Sequence, residues 1–321
     1  LNSNINVSLK GRYLAIVRDS SLREVRRSEW SDNVVTNLGV QMLLGGAGSG
    51  GSSVFNVQCS CGSGNSTPSV TDTQIQSFVA GSTNSLAIST TKNSTVHPYY
   101  VMHTITWRFN QGQATGNIAE LCVVSGTSTP TASSPVFSRA LVRDAAGNPT
   151  VISVQPDEFL EVKYELYLYV PQEVTGTFSQ IIDGVSTSFD YTMMTSGMLN
   201  GGNPGSNSGW PSITAPEIPR IFGYSNGGAV YSTGASLGPV TSDPTGTSFG
   251  VTGSTSATGN YSGKYRDITF NCGLDSANTT FSVYRLPFTL GAVKMQISPP
   301  ITKMNTKTYS ITFRVTLDNT I

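Results

Sequence analysis

Apolar and polar residues alternate along much of this chain, a pattern typical of β-strands that bury one face of a sheet. The clearest example is FLEVKYELYLYV, residues 159–170. The apolar positions that share one face are Val162, Tyr164, Leu166 and Leu168. The polar positions that share the other face are Glu161, Lys163, Glu165 and Tyr167. We expect the first face to lie in a core and the second to stay in water.

Further strand-like runs are YVMHTITWRF, NIAELCVV, PVFSRALV and TVISV. The segment KGRYLAIVRDSSLREVRRSEW predicts a hairpin with RDSSLRE as its turn, because Tyr13, Ala15 and Val17 share one face of the first strand. Gly, Asn and Ser supply the turns between such strands, and Thr, Val, Tyr and Phe fit a pleated surface. The pattern therefore favours an all-β fold.

One segment, SEWSDNVVTNLGVQMLLGG at residues 28–46, has helical spacing instead. Its apolar stripe consists of Val34, Leu38 and Met42. Asp32 or Asn33 is the expected N-cap, and Gly45 with Gly46 is expected to end the helix after roughly three turns. Gly39 would let the helix approach a sheet closely. We expect one short α-helix that covers an end or a face of a sandwich.

The chain is predicted to form two antiparallel β-sandwich domains of jelly-roll-like class. Residues 1–172 hold the hairpin, the helix and the first sandwich, and residues 173–321 hold a second sandwich with long Gly- and Ser-rich loops. The end of the second unit echoes the end of the first: ITWRFNQGQATGNIAELCVV corresponds to ITFNCGLDSANTTFSVYRL in its order of strands and polar turns. This echo predicts a duplicated topology.

The net charge of the chain limits the kinds of partner that it can attract. The 19 Lys and Arg residues balance the 19 Asp and Glu residues, so no global field attracts nucleic acid or an anionic membrane. A net charge near zero gives little protection against self-association, which suits a subunit of an assembly. No apolar run reaches the length of a membrane span, and the first residues lack the order of a signal peptide. We expect no nucleic-acid partner and no membrane insertion.

The four cysteines, Cys59, Cys61, Cys122 and Cys272, are too few for a disulfide framework. On a strand, Cys59 and Cys61 would point the same way but lie too far apart to bridge each other easily. No second pair has zinc-like spacing. We therefore predict no metal and no cofactor, and buried thiols. An interchain disulfide, or one from Cys59 or Cys61 to Cys122, remains the alternative.

The histidines and carboxylates were weighed as catalytic groups. His97 and His103 lack a thiol or carboxylate at the spacing of a metal site or triad, so we interpret them as ordinary polar residues of a strand. Glycoside hydrolysis needs two carboxylates at a defined separation. The candidates are Asp157, Glu158, Glu161 and Glu165. Because they lie on the polar face of an alternating strand or its entry turn, we expect a solvated or subunit-facing edge and no enzyme.

Two groups of residues are candidates for binding. Eight charges fall within fifteen residues: Arg18, Asp19, Arg23, Glu24, Arg26, Arg27, Glu29 and Asp32. Exposed pairs of this kind contribute little stability, whereas the same pairs in a subunit interface would set register and partner choice. Both readings stay open. Trp210, with Tyr224 and Tyr231, is predicted to anchor a loop, enter a neighbouring subunit or contact a glycan.

Four segments resemble a diverse group of virion structural proteins of tailed bacteriophages: EVRRSEWSDNVVTNLGVQML, GNIAELCVV, FSRALVRDAAGNPTVISVQPDEFLEVKYELYLYVP and VTGTFSQIIDGVSTSFDYTM. These proteins occur around the tail, baseplate, collar and fibre attachment points. The resemblance covers roughly residues 10–195 and carries no catalytic motif. It implies a non-enzymatic subunit, assembled in the host cytoplasm into the virion, that contacts copies of itself and other virion proteins. The alternative is a receptor- or polysaccharide-binding module of a tail appendage, with host surface glycan as partner.

Overall fold

The computed structural model describes residues 3–45, 54–93, 95–170, 173–196, 215–219, 228–240, 242–251, 255–260, 263–288 and 291–319. Within these ranges the protein is all-β with one short helix, as predicted. Most strand pairs are antiparallel. The sheets pack face to face in a sandwich-like arrangement around a core of Val, Leu, Ile, Phe and Tyr side chains.

The elements of the first half are β1 (Ser3–Arg18), β2 (Glu24–Arg27), β3 (Ser31–Asp32), β4 (Val34–Val35), α1 (Asn37–Leu43), β5 (Val54–Gly62), β6 (Phe78–Ser82), β7 (Ser85–Asn93), β8 (Tyr99–Phe109), β9 (Gly116–Ile118), β10 (Glu120–Ser125), β11 (Val136–Leu141), β12 (Ile152–Val154) and β13 (Phe159–Val170). Those of the second half are β14 (Val174–Ile182), β15 (Val185–Ser196), β16 (Glu217–Pro219), β17 (Gly228–Ser232), β18 (Ser248–Val251), β19 (Thr255–Asn260), β20 (Tyr265–Cys272), β21 (Thr280–Phe288), β22 (Gly291–Thr302) and β23 (Tyr309–Asp318).

Among the described strands, three sheets form the layers. A nine-stranded sheet has the order β19-β20-β23-β1-β13-β8-β7, with β2 and β3 also paired to β1. A six-stranded sheet has the order β16-β5-β10-β11-β4, with β6 paired to β5. A second six-stranded sheet has the order β14-β15-β22-β21-β17-β18. The short strands β9 and β12 pair with each other.

The nine-stranded sheet is shared by two sandwiches. The Tyr13 hydroxyl on β1 contacts Ser138 Oγ of the first six-stranded sheet at 2.7 Å. In the second sandwich, Tyr284 packs against Phe270 and Tyr309, with ring centroids 6.1 and 6.2 Å away. Strand β1 joins the two halves, because its residues 8–18 pair antiparallel with β13 and its residues 3–8 pair parallel with β23. The domain boundary predicted at residue 172 falls between β13 and β14. The nine-stranded sheet contains strands from both sides of this boundary.

The two sandwiches repeat one strand order. In the nine-stranded sheet, the run β13-β8-β7 corresponds to the run β23-β20-β19. In the six-stranded sheets, the run β4-β11-β10-β5-β6 corresponds to the run β15-β22-β21-β17-β18. The elements correspond in chain order as well, since β8 and β10 match β20 and β21. The echo between the two sequence segments therefore reflects a duplicated topology.

The helix is shorter than predicted and begins later. Thr36 is the N-cap, because its Oγ1 accepts a hydrogen bond from the Gly39 N–H at 2.9 Å. Asp32 and Asn33 were the wrong caps, since the residues around them form β3 and β4, and Val34 belongs to β4. A positive φ of 83° at Gly45 ends the helix as expected, and Gly46 lies outside the described residues. The chain thus changes from strand to helix within one residue of Val35.

Gly39 brings the helix against β11. A Cβ at this position would clash with the carbonyl oxygen of Phe137, and the Thr36 hydroxyl donates to the carbonyl oxygen of Val136 at 2.7 Å. The close approach predicted for Gly39 is confirmed. The helix is held on the sheet by its own N-cap residue.

Candidate functional site on the outer face of the nine-stranded sheet

The face of the nine-stranded sheet that points away from both six-stranded sheets is the candidate site, and we call it the outer face. In the first half it carries the side chains of Lys10, Arg12, Arg18, Tyr100, Arg108, Glu161, Lys163, Glu165, Tyr167 and Tyr169. These positions alternate with buried ones such as Tyr13 and Val162. The strand period of two therefore sends the charges and part of the aromatic surface to one side.

The expectation that the polar face of β13 stays in water is wrong for its carboxylates. Glu161 is 5% exposed and Glu165 is 4% exposed. Neighbouring strands place long cationic side chains directly beside both carboxylates. The carboxylates are buried because these side chains lie over them, an arrangement that the sequence pattern of β13 alone does not reveal.

Each buried carboxylate is held by two cations. Glu161 accepts hydrogen bonds from Arg18 Nε at 2.6 Å and from Arg108 Nε at 3.0 Å. Glu165 lies 2.7 Å from Arg12 Nε and 3.2 Å from Lys163 Nζ. Since the arginines come from β1 and β8, these ion pairs cross three strands. They fix the side chains of the outer face in place.

The pKa values around Glu165 follow from this arrangement. Burial acts to raise the pKa of Glu165, but hydrogen bonds from Arg12, Tyr167 and Lys163 outweigh it and lower the pKa below its usual value. Burial, together with the hydrogen bond from its hydroxyl to Glu165 at 2.9 Å, raises the pKa of Tyr167 to about 12. Glu165 is therefore a carboxylate and Tyr167 a neutral phenol at neutral pH.

Three tyrosines, Tyr100, Tyr167 and Tyr169, form a cluster that we call the tyrosine patch. The centroid of the Tyr100 ring lies 5.3 Å from that of Tyr167 and 5.8 Å from that of Tyr169, in edge-to-face geometry. The rings of Tyr167 and Tyr169 are nearly parallel, with centroids 6.0 Å apart. All three side chains are half-buried. The patch forms because Tyr100 stands directly opposite Tyr169 in the β8–β13 register.

Trp30 extends the aromatic surface toward the cations. The guanidinium of Arg12 lies 4.3 Å from the centroid of the Trp30 ring, and the Lys163 ammonium lies 5.3 Å from it. Arg12 also lies 5.6 Å from the centroid of Tyr167. Cation–π attraction of this kind favours ordered cations over an aromatic face. Trp30 and the tyrosine patch were not singled out in the sequence, because only the strand register brings them together.

The predicted interface residues fall into two groups. Arg18 and Arg26 belong to the fold, since Arg18 pairs with Glu161 and Arg26 pairs with Glu158. Arg26 is nevertheless exposed, and so are the other predicted residues Arg23, Arg27 and Glu29. Arg23 is 79% exposed and pairs with Asp19, and Arg27 is 55% exposed and pairs with Glu24. Glu29 is exposed and forms a backbone bridge with Arg143.

The aromatic residues predicted to contact a partner are not among the described residues of the outer face. Trp210 and Tyr224 lie outside the described residues. Tyr231 lies in β17, opposite Val283 of β21, and its side chain is buried. A buried strand position does not fit the predicted contact of Tyr231 with a glycan. Its buried ring contributes to the core of the second sandwich.

The carboxylates weighed for hydrolysis do not converge on a cleft. Glu158 is buried, pairs with Arg26, and accepts the N–H of Gln155 at 2.8 Å. Glu161 and Glu165 lie four residues apart on one strand, which separates their backbones by roughly 13 Å. Asp157 is exposed. The three buried carboxylates thus act as partners for cations of the fold.

The four cysteines and His103 are buried, whereas His97 is exposed. All four thiols are buried, as predicted, and none of them is paired in a disulfide here. Burial raises the pKa of Cys61 to about 12 and that of Cys272 to about 11. His103 is buried in β8, with Nδ1 3.1 Å from Thr90 Oγ1, whereas His97 is exposed and precedes that strand. His103 therefore lies in a strand, as expected, whereas His97 does not.

The two most deeply buried cations among the described residues, Arg139 and Lys294, were not predicted from the sequence. Arg139 is enclosed with Glu120 inside the first sandwich. Lys294 is fully buried in the second, where its Nζ donates to the carbonyl oxygens of Leu237, Gly238, Pro239 and Ser242 at 2.5, 3.1, 2.7 and 2.8 Å. Isolated charges in apolar runs give no sign of their partners. Both cations tie loops to a sheet.

In the described part of the chain, no cluster of three or more His, Cys, Asp or Glu side chains could hold a metal ion. No described helix is long and apolar enough to cross a membrane. No protein-family model, curated protein or solved structure matches the chain. The function is therefore inferred from the outer face and its chemistry.

Proposed function

We propose that this protein is a non-enzymatic structural subunit of a tailed-phage virion, placed in the tail, baseplate, collar or fibre attachment region. It assembles in the host cytoplasm and contacts copies of itself and other virion proteins. The contact surfaces are the part of the outer face around Glu161 and the adjoining exposed residues Arg23 and Arg27 of the β1–β2 hairpin. The resemblance described above supplies the class of particle, and the outer face supplies the physical argument.

The observation that carries this proposal is the burial of Glu161 and Glu165 beneath cations from neighbouring strands. Such pairs fix the side chains of the outer face before any partner arrives, so that little entropy is lost on association. Arg23 and Arg27 remain exposed beside this rigid surface. Charged groups at the rim of an interface set orientation and reject wrong partners.

The proposal is tested by measuring the mass of the purified chain by light scattering over a range of concentrations. We expect mass to rise with concentration, and the double variant Arg23→Ala with Arg27→Ala to assemble more weakly. Lys307→Ala is the matched control, because it removes an exposed ion pair with Asp183 in the second sandwich. A wild-type chain that stays monomeric at every concentration, alone and with virion proteins of the same phage, contradicts the proposal.

The place in the particle is tested separately. Mass spectrometry of purified virions that encode this chain should detect it in fixed stoichiometry with tail proteins. Its absence from washed particles would contradict the virion role.

A second candidate function is binding to a receptor or polysaccharide of the host surface. Of the three aromatic residues predicted for it, Tyr231 is buried, and Trp210 and Tyr224 lie outside the described residues. The tyrosine patch favours this function instead, because it places three half-buried aromatic rings together on a rigid sheet.

A further inference from the structure

We propose that the outer face carries a binding site for an acidic polysaccharide, formed by the tyrosine patch, Trp30, Arg12 and Lys163. This inference names the ligand class and the residues of the second candidate function. It does not depend on the assembly role, and the two can fail independently.

The aromatic part of the site fits sugar rings. The C–H faces of a pyranose are apolar and pack on aromatic rings, while tyrosine and tryptophan keep one polar end toward water. Tyr167 and Tyr169 lie two residues apart on β13, and Tyr100 lies beside both on β8. A patch that spans two strands presents several rings to successive sugars of a chain.

The site is held in position before a ligand binds. The Tyr167 hydroxyl donates to Glu165, and Arg12 bridges Glu165 and the Trp30 ring. Because these groups stand on paired strands and are tied to each other, a ligand need not order them. Preorganisation of this kind reduces the entropic cost of binding.

The charge of the site selects an acidic ligand. Arg12 and Lys163 both contact the single carboxylate of Glu165, so that this group of three carries one net positive charge. The side chains of both cations are more than one third exposed, at 36% and 37%. A sugar carboxylate above Trp30 would contact Arg12 and Lys163. These two side chains carry two positive charges, of which Glu165 neutralises only one.

Hydroxyl groups next to the patch can bind sugar hydroxyls. Ser8 stands directly opposite Tyr169 on β1, and Thr91 stands opposite Met102 on β7. Directly opposed residues share a face of the sheet. A nucleic acid is a poorer fit, because its affinity depends on several phosphate-binding cations and the chain has no net positive charge.

Affinity electrophoresis of the full chain tests the site. The gels contain polygalacturonate, alginate or hyaluronate as acidic polymers, dextran as a neutral polymer, or single-stranded DNA as a polyanion without pyranose rings. We expect retardation by at least one acidic polysaccharide, weakened by added salt, and little retardation by dextran or DNA. The proposal is overturned if none of the three acidic polysaccharides retards the chain, or if DNA retards it equally.

Variants locate the site. Tyr169→Thr should weaken binding about fivefold or more, the ratio expected for the loss of one aromatic contact, and Lys163→Gln should weaken binding to the acidic polymer. Tyr265→Thr is the matched control, because Tyr265 lies on the same sheet in the other half, against Arg314. Circular dichroism and thermal melting check that each variant folds. Equal affinities of folded Tyr169→Thr and Tyr265→Thr overturn the proposal, and light scattering of the same samples reports on assembly separately.

Discussion

Glu120 and Arg139 form an ion pair that is closed off from solvent, with 2.7 Å between the carboxylate and Nε and exposures of 0% and 2%. They stand on the neighbouring strands β10 and β11. Glu120 also accepts the N–H groups of Gly64 and Ser77 at 3.1 and 2.7 Å. Arg139 additionally pairs with Asp72 at 2.9 Å. The pair therefore fastens the connection between β5 and β6 to the first sandwich.

Arg139→Met should reduce the free energy of unfolding by about 3–5 kcal/mol, because it leaves the Glu120 carboxylate buried without its cation. Urea denaturation measures the loss. Arg23→Ala is the control, since it removes an exposed pair with Asp19 and should leave the free energy of unfolding nearly unchanged. Equal costs for the two variants would show that burial does not decide the strength of these pairs.

Gly39→Ala should destabilise the protein by about 1–3 kcal/mol, because the added methyl group would clash with the Phe137 carbonyl oxygen. This is opposite to the gain of about 1 kcal/mol that Ala gives over Gly within a helix. Thermal and urea unfolding measure the sign. Gly250→Ala is the control, because a Cβ there meets nothing within 4 Å and the change should be near neutral. A stabilised Gly39→Ala variant would contradict the packing of α1 on β11.

His103 should make the protein less stable in acid. Burial lowers the pKa of His103 from 6.5 to about 4, an effect partly offset by a hydrogen bond with the Glu217 backbone. Below pH 6.5 the unfolded chain takes up a proton that the folded chain resists until about pH 4. The contribution of neutral His103 to the free energy of unfolding is therefore fully present above pH 6.5. It falls by about 3 kcal/mol as the pH is lowered to 4.

Urea unfolding between pH 4 and 7 checks this dependence. His103→Gln should flatten the loss of stability in this window, whereas His97→Gln, at an exposed position, should leave it unchanged. The same slope in wild type and His103→Gln would assign the acid sensitivity to other groups.

The four thiols should resist modification in the folded protein. Burial raises the pKa of each of them above its ordinary value, and the thiolate is the reactive form. A thiol-specific disulfide reagent should label none of the four in native buffer and all four in denaturant. Rapid labelling of one thiol in native buffer would contradict its buried position.

Lys294→Met should cost about 3 kcal/mol, because it removes the donor of four carbonyl oxygens in the connection between β17 and β18. The same region is held by an ion pair between Arg285 and Asp243 at 2.8 Å. Limited proteolysis should therefore cut the variant near residues 237–242 before wild type. Lys307→Met, at an exposed position, is the control and should leave the cleavage pattern unchanged.

The charged hairpin shows which features of the candidate site can be predicted from the sequence. The sequence shows the run of charges, but it does not show which arginines pair locally and which pair with distant carboxylates. Arg18 and Arg26 pair with carboxylates more than 130 residues away, whereas Arg23 and Arg27 pair within the hairpin. Local spacing predicts only the second kind of pair. The tyrosine patch was likewise invisible, since Tyr100 and Tyr169 meet only through strand register.

By itself, the sequence determined the all-β class, several strands of the first half, the core-facing side of β13 and the close approach at Gly39, because these depend on a period of two and on local sterics. Only the tertiary structure decided that one sheet is shared by both sandwiches, that Thr36 rather than Asp32 or Asn33 caps α1, and that Glu161 and Glu165 are buried. The physical reason is register: it sets Arg12 beside Glu165 across 153 residues of chain, and no local pattern encodes which distant cation will cover a given carboxylate.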